Sequence, residues 1–213
     1  DRVRATGAKV LSSATTVDEA RWLEDHGCDA IIAQGFEAGG HRGVFLTDDI
    51  ATQIGTFALV PQVVDALKVP VIATGGITDA RGIVAAFALG AAAVQIGTAY
   101  MFTPQARMPA PHAAALRSPD ADKTALTNLF TGRPARGIVN RLMREVGPIS
   151  ELAPAFPLAG GALAPLRAKT EPQGSGDFMS LWSGQAARLG REASSAGELT
   201  KRLAAEALAK LGR

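Results

Sequence analysis

The residues of this chain that could do chemistry gather in one stretch. Ala33 to Gly43 reads A-Q-G-F-E-A-G-G-H-R-G, and four of those eleven residues are glycine. Each interior glycine costs a helix roughly 1 kcal/mol relative to alanine, so the stretch predicts a loop. Without Cβ atoms, such a backbone can come close to a ligand. His41, framed by Gly40 and Arg42, places a titratable group on it, and Gln34 opens it with an amide. The competing reading is a long surface loop with turn glycines and a solvated histidine.

Two further glycine turns follow. Ala73-Thr74-Gly75-Gly76-Ile77 closes one apolar run, and Gln95-Ile96-Gly97-Thr98 closes the next. Backbone N–H groups at such turns, with a helix N-terminus behind them, attract a phosphate. Thr98 can add a hydroxyl. Gly75, Gly76, Gln95, Ile96, Gly97 and Thr98 are therefore the candidate phosphate-binding residues. Together the turns predict a phosphate-bearing cofactor over strand ends, with Gln34 and His41 on a neighbouring loop. The alternative is a set of tight packing turns in an α/β domain.

Other chemistries lack their residues. No G-x-G-x-x-G opens the chain, and no P-loop lysine motif is present. No pair of histidines or cysteines has metal-ligand spacing, so no metal is expected. Ser180 and Ser183 lack a nucleophile elbow. His26 falls in a last helical turn, where a cation suits the helix dipole, and reads as structural. His112 lies in an Ala/Pro-rich stretch and reads as surface.

The elements that must position these loops alternate. Val10–Ala14, Asp29–Ala33, Pro70–Thr74 and Ala93–Ile96 are short continuous apolar runs, as buried parallel strands are. Thr16 to Glu19 fits a capping box before a helix that ends at Gly27. In that helix Ala20, Trp22 and Leu23 line one face. A helix is expected around Phe57–Leu67, with Pro61 marking its first turn. Asp79 can cap another helix that runs to Leu89 and stops at Gly90. Strand and helix thus alternate with glycine clusters at the carboxyl ends of strands, the signature of βα units on a parallel sheet. Beyond Phe102 the pattern changes. A strand over Thr124–Phe130, a helix near Ile138–Val146 and a long irregular connection over Pro148–Pro172 are expected. Helices over Phe178–Leu189 and Glu198–Leu211 follow, the last with Leu199, Leu203, Leu208 and Leu211 on one side.

The 213 residues suffice for one sizeable core. A hydrophobic share of 47% against 20% charged residues is an ordinary globular balance. A net charge of +2 suggests neither nucleic acid nor an anionic membrane as partner. Gly90, Gln95 and Gly97 break the longest apolar stretch, Ile83–Phe102, which reads as a buried helix and strand rather than a membrane span. Cys28 is the single cysteine, which excludes an internal disulfide and fits a reducing, cytoplasmic setting. It reads as a small core residue. The chain begins at Asp1, as a processed, excised or partial sequence would.

A-Q-G-F-E-A-G-G-H-R-G, then A-T-G-G-I, then Q-I-G-T, in this order and spacing, resembles the nitronate monooxygenase (2-nitropropane dioxygenase) family. Trp182-Ser183-Gly184-Gln185 is similar to its carboxyl-terminal pattern. The resemblance is strongest from Lys9 to Phe102. It implies an α/β fold, a TIM-type (β/α) barrel flavoprotein using FMN. Gln34 and Gly39 would contact the isoalloxazine, while Gly75, Gly76 and the Gln95–Thr98 turn would hold the phosphate. His41 would be the catalytic residue, either as base toward a neutral nitroalkane or as cationic partner of an anionic nitronate. The substrates would be that small molecule and O2, the products a carbonyl compound and nitrite. The family's proline-rich first motif and its FMN-contacting asparagine are absent here. The four βα units then correspond to the second half of a barrel that needs eight. Residues 1–105 would carry the FMN site, and residues 106–213, mainly helical, would complete or cover it. A homodimer or an N-terminal half would supply the rest. The rival enzymes are an FMN-dependent enoyl-acyl carrier protein reductase and an NAD(P)H:quinone reductase of the same superfamily. The non-enzyme reading is an inactive truncated fragment.

Overall fold

Short apolar runs bounded by glycine become strands, and the longer periodic segments become helices. The computed structural model describes residues 2–212. The strands are β1 (Leu11–Ala14), β2 (Ala30–Gln34), β3 (Gly40–His41), β4 (Val71–Thr74), β5 (Ala93–Gln95), β6 (Thr124–Thr127) and β7 (Ala135–Ile138). The α-helices are α1 (Val17–Asp25), α2 (Thr56–Ala66), α3 (Ala80–Ala88), α4 (Ala110–Arg117), α5 (Arg141–Val146), α6 (Ala159–Thr170) and α7 (Ala196–Lys210). The chain divides into two units, one of residues 2–38, 43–96 and 201–212, the other of residues 39–42 and 97–200.

The first unit holds a parallel sheet in the order β1-β2-β4-β5. Its register sets Ala14 beside Ala33, Gln34 beside Thr74, and Thr74 beside Gln95. The carboxyl ends of neighbouring strands are therefore level. The sheet is built from four consecutive βα-type units, as in a TIM-type barrel, the fourth continuing into a 3-10 helix over Thr98–Phe102. Ile31, Ala33, Val71 and Ala73, Leu59, Val60 and Val63 of α2, and Ala20 and Leu23 of α1 are all buried, with α1 and α2 packed on the sheet. Thr16 caps α1 by accepting from Glu19 N at 3.2 Å. The reciprocal half of the capping box is absent, because the Glu19 carboxylate turns to Thr15, Phe45 and Leu46. Asp79 caps α3, accepting from the N–H groups of Arg81 and Gly82. Cys28 is buried, and burial raises its thiol pKa, which makes it a packing residue.

The second unit holds an antiparallel sheet in the order β3-β7-β6, extended by a bridge between Gly137 and Trp182. Its core gathers Phe102, Leu116, Ile138, Met179 and Leu181 in one cluster and Leu129, Phe130, Leu142, Met143 and Phe178 in another.

Several sequence expectations need correction. Phe178–Leu189 is not an α-helix; its centre is the extended bridge at Trp182, and a single 3-10 turn follows at Ala187–Leu189. The Pro148–Pro172 connection contains α6, which accommodates Pro165 inside it. Pro61 lies within α2 rather than in its first turn. Strand β7 occupies the beginning of the region expected as helix around Ile138. In α7 the buried stripe runs through Leu199, Leu203 and Ala207, while Leu208 and Leu211 are exposed. That i, i+4, i+8 spacing follows the helix period more closely than the leucine pattern does.

Candidate active site

In the first unit, the stretch from Gly43 to Thr56 is fastened by side chains that accept from its backbone. Gln34, at the end of β2, accepts from Gly43 N through Oε1 at 2.7 Å. Glu19 accepts from Phe45 N and Leu46 N at 2.7 and 3.2 Å. Glu37 accepts from Thr56 N at 2.8 Å and from Thr56 Oγ1 at 2.8 Å, placing a carboxylate at the positive N-terminal end of α2. Gln34 thus has a role inside the fold beside any toward a ligand.

The turn after β4 requires its glycines. Gly75 and Gly76 have φ of +104° and +71°, a region L side chains rarely adopt. Thr74 Oγ1 donates to the Gln95 carbonyl at 2.8 Å, stitching the end of β4 to the end of β5. Among the described residues, no hydrogen bond engages the N–H of Gly76. The donor set suits a phosphate group, since unengaged N–H groups at strand ends are what an anion needs.

In the second unit, Gly97 precedes the 3-10 helix, and a Cβ built on it would meet nothing within 4 Å. The N–H groups of Gly97 and Thr98 likewise have no partner among the described residues. That is open space beside free donors, the form a phosphate cradle takes. Thr98 Oγ1 accepts from Gly184 N at 3.0 Å. Gly39 is glycine for a packing reason: a Cβ there would lie 2.5 Å from Gly184 N and 2.6 Å from the Ser183 carbonyl carbon.

His41 pairs with Ala135 across β3 and β7. Its Nε2 lies 2.9 Å from Thr131 Oγ1. Thr131 also accepts from Arg133 N at 3.3 Å and lies 3.2 Å from the Arg133 carbonyl, to which it can donate. The Thr131 hydroxyl can therefore hold the His41 ring whether Nε2 donates or accepts. The imidazole packs against the Trp182 indole with ring centroids 5.6 Å apart. His41 as a residue is exposed, yet desolvation of the ring lowers its pKa below the ordinary value, and the Arg133 charge lowers it further. The imidazole is therefore neutral at neutral pH, as a base must be. Replacing Arg133 by glutamine should raise the His41 pKa toward the ordinary value, since a cation no longer opposes the imidazolium. An NMR titration of the His41 ring checks this, and an unchanged or lower pKa would count against the electrostatic account.

His112, read as surface from its neighbours, is buried, and its Nε2 donates to the Trp182 carbonyl at 2.9 Å. The roles of Thr131, Arg133, Trp182, Glu19 and Glu37 were also missed: Glu19 read as a capping residue and Trp182 only as part of a carboxyl-terminal pattern, because the His41, Phe45 and Thr56 groups that reveal those roles lie far away in the chain. Among the described residues, no group of three or more His, Cys, Asp or Glu side chains could hold a metal ion. No described helix is long and apolar enough to cross a membrane.

The family described as NMO, nitronate monooxygenase, matches residues 1–206. The chain belongs to the nitronate monooxygenase family. It is 44% identical over 210 residues to a nitronate monooxygenase of Pseudomonas aeruginosa, covering 97% of this chain and 60% of that protein. It is 39% identical to a probable nitronate monooxygenase of Bacillus subtilis, covering 96% of this chain and 59% of that one. Among solved structures, the nitroalkane oxidase of Streptomyces ansochromogenes superposes with a TM-score of 0.91 at 43% identity, over 99% of this chain and 60% of the other. FabK of Thermotoga maritima superposes at 0.80 with 29% identity, over 99% and 64%. The chain thus spans about 60% of the length of these family members, which fits a part of a barrel.

Proposed function

We propose that the protein to which this chain belongs oxidises nitroalkanes or their nitronates with O2, using FMN, to carbonyl compounds and nitrite. Family membership supports the reaction class, and the observation that carries the chemistry is His41 bonded to Thr131 and packed against Trp182, with burial lowering its pKa. In this reading the His41 imidazole takes the proton from the carbon bearing the nitro group, and the C–H electron pair moves into the nitronate. Thr131 orients the ring, and the Trp182 indole shields it from water on one side. The N–H groups of Gly97 and Thr98 in the second unit would bind the FMN phosphate; Gly75, Gly76, Gln95 and Ile96 at the strand ends of the first unit, and Gln34 and Gly39, are the other candidate FMN contacts. FMN, when bound, supplies the electron transfer that ends at O2.

The test is nitroethane-dependent oxygen uptake with stoichiometric nitrite, measured on protein carrying FMN. NADH oxidation that depends on an enoyl thioester, with no nitrite formed, would overturn the reading in favour of the enoyl reductase alternative.

Gly97→Ala isolates the phosphate assignment. The backbone at Gly97 has φ −104°, which alanine adopts, and its Cβ would enter open space. Folding stability should change by less than about 0.5 kcal/mol, as at an ordinary surface site. FMN retention should nevertheless fall, because the methyl occupies the phosphate's approach. Full FMN content in a normally folded Gly97→Ala protein would remove Gly97 from the site.

A further inference from the structure

Trp182 is half-buried beside His41, and everything that fixes it belongs to the second unit. Its indole meets Phe130 edge-on, with centroids 5.5 Å apart and an interplanar angle of 89°. Its backbone bridges Gly137, where a Cβ would lie 2.9 Å from the Leu181 carbonyl oxygen and 3.2 Å from the indole itself. Gly137 therefore lets the ring lie close over β7. The Trp182 carbonyl accepts from His112 Nε2 at 2.9 Å. A carbonyl cannot donate, so His112 carries its proton on Nε2. His112 stands on α4 and is 7% exposed. A buried imidazole in one fixed tautomer, bonded to the residue whose ring walls His41, has no use in the proton transfer itself.

We propose that His112 is a positioning residue: by holding the Trp182 carbonyl it sets the place of the indole beside His41, and so decides which alkyl chains of a substrate fit there. The specificity half of this statement rests on the nitroalkane reading above; the positional half does not. An aromatic wall next to the base offers apolar area to a carbon chain and nothing to a charged one. Loss of the hydrogen bond frees the Trp182 backbone, and the ring moves with it.

The experiment starts from Trp22→Phe protein. The sequence has two tryptophans, and Trp22 stacks on His26 with centroids 3.6 Å apart, so it would report a different histidine. Removing it leaves Trp182 as the sole emitter. A protonated imidazole quenches a neighbouring indole, so emission should fall on acidification as His41 takes up its proton. His112→Leu should shift the emission maximum and weaken that quench, and His112→Gln, whose amide nitrogen can reach the carbonyl, should restore both. On FMN-loaded protein, the kcat/KM ratio of 1-nitrohexane to nitroethane should shift by about tenfold in His112→Leu, the scale on which an apolar wall discriminates chain length. It should return in His112→Gln. Should His112→Leu fail to fold, as circular dichroism would show, His112→Asn against His112→Gln carries the test, since the shorter amide cannot reach. Emission, quench and selectivity that are equal across these variants and the parent overturn the proposal. The expected fluorescence changes across the His112 variants with no turnover of any nitroalkane would sink the nitroalkane reading and leave the positional role standing.

Discussion

Glu19→Ala is expected to destabilise the chain by about 3 kcal/mol or more, the scale of several charge-assisted hydrogen bonds lost together. The side chain is fully buried. Its Oε2 accepts from Thr15 N at 2.7 Å and Thr15 Oγ1 at 2.6 Å, and its Oε1 accepts from Phe45 N and Leu46 N. Gln53 Nε2 donates to the same Thr15 hydroxyl at 2.9 Å, so the network reaches the end of the 43–56 stretch. Thr15 is itself fully buried, and after truncation water cannot replace its lost acceptor. Phe45 and Leu46 are exposed, so their N–H groups can turn to solvent and cost less. Glu19→Gln should lie between alanine and wild type. Its amide oxygen can serve one pair of donors, but its NH2 faces the other pair donor to donor. Chemical denaturation measures the stability, and hydrogen exchange at the Phe45 and Leu46 amides should quicken in both variants. A stability change under about 0.5 kcal/mol for the alanine variant, the ordinary surface value, would show that the network carries little.

That network marks the limit of what the sequence disclosed. The parallel strands β2, β4 and β5 were legible because each is a short apolar run closed by glycine, and the glycines after β4 answer a real demand for positive φ. Helix starts at Thr16 and Asp79 were legible because capping is local, a side chain serving an N–H two or three residues on. Glu19 looked like the partner of Thr16 for the same reason, yet tertiary donors in Thr15, Phe45 and Leu46 outbid the local one. Strand β7 was hidden because all four of its residues are buried, Arg136 among them, so no alternation of polar and apolar residues appears. His112 looked exposed because alanine and proline surround it, while its burial comes from the Trp182 strand seventy residues away. Gly39 was expected to be glycine for the flavin, and the close approach of Ser183 and Gly184 already requires it. Contacts made across long sequence separations leave no period to read.

His41→Ala should lower turnover of a neutral nitroalkane by about 10²- to 10⁴-fold, the usual contribution of a positioned general base. The fold should survive, because His41 is exposed, its β3 pairing with β7 uses the backbone, and the side chain's bond to Thr131 lies at the surface. FMN content should likewise hold. The deciding comparison is with preformed nitronate, in which the carbon has already lost its proton. A base is not needed there, so the loss on the nitronate should be far smaller than on the nitroalkane. Equal losses on both would instead assign His41 to binding the anion as a cation. The pH dependence separates the two roles by sign. A base works only unprotonated, so nitroalkane turnover should fall as pH drops through the His41 pKa and stay level above it. Desolvation beside Trp182 and the charge of Arg133 both lower that pKa, which sets the acid limb below the ordinary histidine value. A cationic partner would give the reverse limb, with activity lost as pH rises through the same value, and a lowered pKa would leave it almost uncharged at neutrality. The geometry around His41 therefore favours proton abstraction, and leaves Arg133 as the permanent positive charge beside it.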